Sequence, residues 1–134
     1  MIGLVLIAHG QLAEEFCKAV NHVLGPQTQI EAINIQPEDD IEQRRRELMD
    51  AVERVDSGAG VIVLSDMFGG TPSNLAISLL NRPNVEVVAG VNLPMLVKLV
   101  TLRTTEPINE LILAAQEAGR KYISVASKLI AANE

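Results

Sequence analysis

The chain of 134 residues is poor in several of the side chains that carry chemistry. It has one cysteine, two histidines, no tryptophan, one tyrosine and two phenylalanines. A single cysteine closes no internal disulfide and builds no cysteine-based zinc site, which fits a reducing compartment. The same scarcity excludes aromatic cages and base-stacking platforms. Eleven Lys and Arg stand against 17 Asp and Glu, a formal net charge of −6. That balance disfavours non-specific binding to nucleic acid or to an anionic membrane. No basic leader precedes the apolar N-terminal residues, so a signal peptide is not expected. The Val- and Leu-rich stretch after Val87 is broken by Gly90, Asn92, Pro94 and Lys98, too early for a spanning helix. A cytoplasmic protein is expected. Any histidine chemistry has to use His9 or His22.

Hydrophobic residues make up 48% of the chain, ample for the core of one globular domain spanning residues 1–134. Their spacing alternates between two periods. Gly3–Ala8 is a continuous apolar run, as in a strand covered on both faces. Leu12, Phe16, Ala19, Val20 and Val23 form a helical stripe within Gln11–Leu24, ended by Gly25-Pro26. Ile30–Ile35 reads as a second strand. Asp39 and Asp40 offer caps, with Glu42 and Gln43 at capping-box spacing, for a helix ending near Ser57. Val61–Ser65 is a third strand. Thr71 can cap the next helix, with Pro72 first inside it and an end near Leu80. Val85–Val91 is a fourth strand. Asn92 and Pro94 open a helix to about Leu102, and Pro107 starts another ending near Gly119. Tyr122–Val125 is β-branched enough for a fifth strand, while Lys128–Ala132 can be helical.

Strands alternating with helix-length crossovers imply an α/β fold, a parallel sheet with helices on both faces. The economical topology is flavodoxin-like, with strand order 2-1-3-4. In such sheets ligands bind beyond the carboxyl ends of the strands, where the order reverses. Here that point lies between strands one and three, so His9 and Asp66 converge on it. A neutral imidazole is nucleophilic at the nitrogen lacking a proton, and an aspartate on the other nitrogen fixes the tautomer and stabilises the cation formed on attack. The stretch FGGTPSN adds a receptor. Gly69 and Gly70 allow close approach, a helix start supplies free N–H groups, and Thr71 and Ser73 supply hydroxyls. A phosphoryl group suits this receptor. Neither GxxxxGK[ST] nor GxGxxG is present, so a nucleotide is not the obvious donor.

His9-Gly10 after the first strand, DMFGGTPSN after the third and GVNLPML after the fourth together resemble the IIA component of the mannose-type (mannose/fructose/sorbose) phosphotransferase system. The resemblance spans nearly the whole chain. It implies that His9 carries a phosphoryl group, through Nε2, taken from phospho-HPr and passed to a histidine of a IIB protein in sugar uptake. It also implies that Asp66 orients the ring and that Thr71 and neighbouring amides hold phosphoryl oxygens. Enterobacterial members carry Thr-Trp where this chain has Met67-Phe68, and Ser where it has Thr71. Met67 and Phe68, with Asn92 and Pro94, are expected on a partner-facing rim. Family members are dimers that exchange a carboxyl-terminal strand, which suggests that role for Lys121–Ala126 as an antiparallel edge strand. Without a fused IIB domain in the sequence, the acceptor is expected in trans. No cofactor or metal is implied.

Other readings compete. A regulatory IIA module would use the same phosphorylation to control partner proteins without transport. The phosphotransfer subunit of dihydroxyacetone kinase shares the fold and the early histidine but not GGTPSN or GVNLPML. A response-regulator role for Asp66 lacks the acidic pair after strand one, where Ala8-His9 stands. His22 reads as a solvated or helix-packing residue, Cys17 as a small buried hydrophobe, and Arg44-Arg45-Arg46 as a solvated, ion-paired face.

Overall fold

Four strands joined by helices, with three successive helices after the last strand, make up a computed structural model that describes residues 1–132. Strand β1 (Gly3–His9) is followed by α1 (Leu12–Leu24), β2 (Ile30–Ile35), α2 (Ile41–Val55), β3 (Val61–Ser65) and α3 (Thr71–Ile77). Next come β4 (Val85–Ala89), α4 (Leu93–Leu102), α5 (Ile108–Lys121) and α6 (Ala126–Ala132). The sheet is parallel throughout, as helix-length crossovers imply, and its order is β2-β1-β3-β4, the economical topology expected from the sequence.

Burial follows from that order. β1 and β3 are central, and their apolar residues are buried on both faces. On one face Leu4, Leu6, Ile62 and Leu64 pack against α1, α4 and α5 through Val20, Leu96, Leu99 and Leu111. On the other, Val5, Ile7, Val61 and Val63 meet Leu48, Val52 and Val55 of α2 and Leu75 of α3. Continuous apolar runs therefore mark the two strands enclosed on both sides. Cys17 sits half-buried against the first of these cores. Burial, helped by the Glu14 charge, pushes its thiol up to about 11, which keeps it protonated and unreactive near neutral pH.

Several local expectations are corrected. Residues 122–125 form no strand; they join α5 to α6, and Tyr122, Ile123 and Val125 stay exposed. α5 runs on through Gly119 to Lys121, and ASKLIAA beyond it favours a helix. β-Branched residues make a strand only where they meet a ladder, and this segment meets none within the chain. A swapped antiparallel edge strand is not shown by this single chain, and among the described residues β4 pairs only with β3. α3 ends at Ile77 rather than near Leu80, where Leu79 and Leu80 amides turn back to the Ala76 and Ile77 carbonyls. Its N-cap is Gly70, and Thr71 is its first residue. At α2 the cap is Asp40, whose Oδ1 accepts from the Glu42 and Gln43 amides at 3.0 and 3.4 Å.

One structural residue gave no signal in the sequence. Arg103 ends α4 with only 2% of its surface exposed. Its guanidinium donates to the Gln29 carbonyl at 3.0 Å, the Thr28 carbonyl at 2.5 Å and Gln27 Oε1 at 3.3 Å. It therefore ties the α1–β2 loop to the end of α4. Burial lowers its pKa from the ordinary arginine value, and hydrogen bonds to all these oxygens keep the buried charge satisfied.

Candidate functional site

His9 is the last residue of β1, at the carboxyl edge of the sheet, and its side chain is half exposed. β1 pairs with β3 up to Ile7 opposite Ser65, so Asp66 begins the loop one residue further on, beside the end of β1. Its carboxylate reaches back across that step. Oδ2 accepts from the His9 amide at 3.1 Å and lies 2.7 Å from His9 Nδ1. Oδ1 accepts from the Met67 amide at 3.0 Å and from the Ser65 hydroxyl at 3.3 Å.

Partial burial of Asp66 acts to raise its carboxyl pKa. The hydrogen bonds from the His9 ring and amide, the His9 charge and the Met67 amide outweigh that and hold it below the ordinary aspartate range. An ionised carboxylate only accepts, so His9 Nδ1 has to be the donor. In the neutral form of the ring this leaves the Nε2 lone pair free, on a half-exposed side chain. That is the arrangement of an oriented nucleophile.

The FGGTPSN loop stands beside it. Gly69 has φ +95°, in the left-handed region that favours glycine, and Gly70 precedes the first turn of α3. Thr71 lines a groove of about 430 Å³ together with His9, Gly10, Ile35, Gln36, Pro37 and Ile41. The β2–α2 wall of that groove is held in place. Asp39 Oδ2 accepts from the Gln36 amide at 2.8 Å and from Arg44 Nε at 2.9 Å. Arg44, together with the Gln36 amide, keeps the Asp39 carboxyl below its usual range. Gln36, Pro37 and Ile41 were not read as site residues in the sequence. The signal existed: with β2 beside β1, the loop leaving β2 has to border His9, and the Gly10 amide donates to the Ile35 carbonyl at 2.9 Å.

Other expected residues lie differently. Ser73 is fully buried, its hydroxyl accepting from the Gly69 amide at 3.1 Å and donating to the Gly70 carbonyl at 3.0 Å. It braces the loop rather than facing the crevice. Asn92 caps α4, taking the Met95 amide at 3.0 Å, and donates to the Gly119 carbonyl at 2.9 Å, a packing role between α4 and α5. Pro94 borders a separate apolar groove with Val23, Leu93, Val97 and Tyr122. Met67 and Phe68 are 58% and 61% exposed, as a rim requires. His22 is exposed on α1, and Arg44 and Arg45 pair with Glu47 and Glu42. Among the described residues no group of three or more His, Cys, Asp or Glu is arranged to hold a metal ion.

A family model described as the PTS system fructose IIA component matches residues 3–116. The chain belongs to this family. The PTS system mannose-specific EIIAB component of Escherichia coli (strain K12) is 34% identical over 124 residues, covering 91% of this chain. The chain spans only 38% of that relative's length. The PTS system sorbose-specific EIIA component of Lacticaseibacillus casei is 26% identical over 110 residues, 81% of this chain and 79% of the relative. Among solved structures, phosphotransferase system component EIIA from Streptococcus agalactiae superposes with a TM-score of 0.87. That pair is 25% identical, over 96% of this chain and 99% of the other. The mannose/sorbose specific IIA subunit from Enterococcus faecalis gives a TM-score of 0.82 at 26% identity, covering 92% and 93%. Among the described residues, the chain contains no helix long and apolar enough to cross a membrane.

Proposed function

We propose that this IIA component is a phosphohistidine carrier, taking a phosphoryl group from phospho-HPr on His9 and passing it to a IIB protein in sugar uptake. The observation that carries the reading is the 2.7 Å contact between His9 Nδ1 and Asp66 Oδ2 at the switch point of the sheet. With Nδ1–H committed to Asp66, the Nε2 lone pair attacks phosphorus. A P–N bond forms on His9 as the donor's P–N bond breaks, and the donor imidazole leaves with the electron pair. The His9 ring becomes an imidazolium, whose charge the Asp66 carboxylate offsets. No proton has to leave during the transfer.

The phosphoryl oxygens have local partners. The first amides of a helix lack intrahelical acceptors, and Thr71 adds a hydroxyl beside His9. Because α3 has only seven residues, these individual donors matter more than a helix macrodipole. The exposed Met67 and Phe68 and the groove walled by Pro37 and Ile41 suit contact with partner proteins. Self-association is supported by the unpaired β4 edge beside the exposed Ile123, and by Val125, Leu129 and Ile130 at 59%, 56% and 61% exposure.

Incubation with phosphoenolpyruvate, Enzyme I and HPr is expected to place on the chain a phosphate that is lost in acid and kept in alkali. Adding a mannose-type IIB protein should then drain it. Folded protein that takes no label overturns the donor assignment. Label that no IIB protein removes overturns the transport role and supports the regulatory one.

A further inference from the structure

The two adjacent glycines of the FGGTPSN loop serve different purposes. Gly69 has a positive φ of 95°, and a Cβ built on it meets nothing within 4 Å. Its backbone needs glycine, but its surroundings do not. Gly70 is the reverse. With φ −108° and ψ 175° it has extended backbone that any L residue adopts. A Cβ there, however, would lie 2.7 Å from Cε1 and 2.8 Å from Nε2 of His9. Those atoms form the edge of the ring that the proposed chemistry uses.

We propose that Gly70 is a positioning residue for His9, its missing side chain being what lets the imidazole keep Nδ1 on Asp66 while Nε2 stays open. The proposal rests on the phosphocarrier reading only for its chemical consequence; the ring placement stands on the geometry. Three fixed elements then bound the ring. Asp66 holds Nδ1, the Gly70 backbone lies against the Cε1–Nε2 edge, and the groove lined by Gly10, Pro37, Ile41 and Thr71 leaves the approach. The half-exposed ring ends a flexible side chain, so with a methyl on Gly70 the ring yields before the backbone does. Displacement breaks the pairing with Asp66 and covers or turns away Nε2, while the fold survives.

The test uses the full chain and diethyl pyrocarbonate, a reagent that acylates unprotonated imidazole nitrogen. Mass spectrometry of peptides follows His9 and His22 separately, so His22, exposed on α1, is an internal standard. In Gly70→Ala the His9 rate is expected to fall by about tenfold or more, a barrier increase of about 1.4 kcal/mol. The His22 rate and a cooperative thermal transition should persist. Ring nitrogen resonances should show a protonated Nδ1 and a bare Nε2 in the wild type, and lose that pattern in Gly70→Ala. Gly58→Ala, at a positive-φ glycine in the α2–β3 loop at the far end of the sheet with open space around its Cβ, should lower the melting temperature yet leave His9 reactivity within about twofold. Gly70→Ala with wild-type His9 rate and resonances overturns the proposal. So does a Gly70→Ala chain that fails to fold, because position 70 would then require glycine for its backbone. A ring displaced as expected in a protein that never accepts phosphate from HPr would sink the carrier reading and leave the Gly70 assignment standing.

Discussion

Asp66→Asn is expected to fold and to slow phosphoryl transfer about a hundredfold, the scale of a lost oriented acid–base partner. The reason lies in the hydrogen-bond count. Both carboxylate oxygens only accept: Oδ2 serves the His9 amide and ring, Oδ1 the Met67 amide and the Ser65 hydroxyl. An amide has one accepting end and one donating end. If its NH₂ faces His9, it confronts the backbone N–H and forces the ring into the tautomer with Nε2 protonated, which removes the nucleophilic lone pair. If its oxygen faces His9, the NH₂ confronts the Met67 amide, and the charge that stabilises the imidazolium is gone in either case. Rapid-quench transfer from phospho-HPr measures the loss, with circular dichroism as the folding control. An unchanged rate removes Asp66 from the mechanism. The same carboxylate carries an acid signature. Its folded pKa is depressed, so its stabilising contribution is present above the ordinary aspartate pKa of about 3.9 and is lost as pH falls through the lower folded value. Melting temperatures of wild type and Asp66→Asn should therefore converge as the pH is lowered below about 4.

The second large effect is on stability. Arg103→Met is expected to cost roughly 3 kcal/mol, since hydrogen bonds from a charged donor contribute about 1.5–3 kcal/mol and buried acceptors left without donors carry a desolvation penalty. For a chain of this size that lowers the melting temperature by about 10 °C. Methionine fills much of the side-chain volume, so the loss isolates the guanidinium and its bonds to Gln27, Thr28 and Gln29. Arg103→Lys should recover only part of it, because one ammonium cannot span three oxygens on successive residues as the planar fork does. Arg46→Met, on the exposed face of α2, should stay within about 0.5 kcal/mol of wild type. Thermal melts of the three variants check the ranking; an Arg103→Met chain as stable as Arg46→Met contradicts the anchoring role.

The contrast between these residues shows what a sequence can disclose. His9 and Asp66 were legible because each directly follows a continuous apolar run, and the economical crossover topology makes those two runs neighbouring strands. The loop after Ile35 was legible by the same rule, yet its residues Gln36, Pro37 and Ile41 have no reactive group to draw notice. Arg103 left no trace, because its role depends on which loop carbonyls the fold brings to the end of α4. Ser73 and Asn92 carry polar groups where a ligand could sit, and in both the backbone takes those groups first. Tyr122–Val125 has strand composition without a strand, since pairing is a property of a second segment and not of these four residues. Gly69 and Gly70 look alike in the sequence, and only the neighbouring imidazole separates their reasons.

The central claim is that His9 carries the phosphoryl group, and locating the phosphate tests it most directly. Wild type, His9→Ala and His22→Ala proteins are labelled with phosphoenolpyruvate, Enzyme I and HPr, kept alkaline, digested and mapped by mass spectrometry. The expected result is phosphate on the peptide containing His9, full labelling of His22→Ala and none of folded His9→Ala. Phosphate on Asp66 or His22, or equal labelling of His9→Ala, would contradict it.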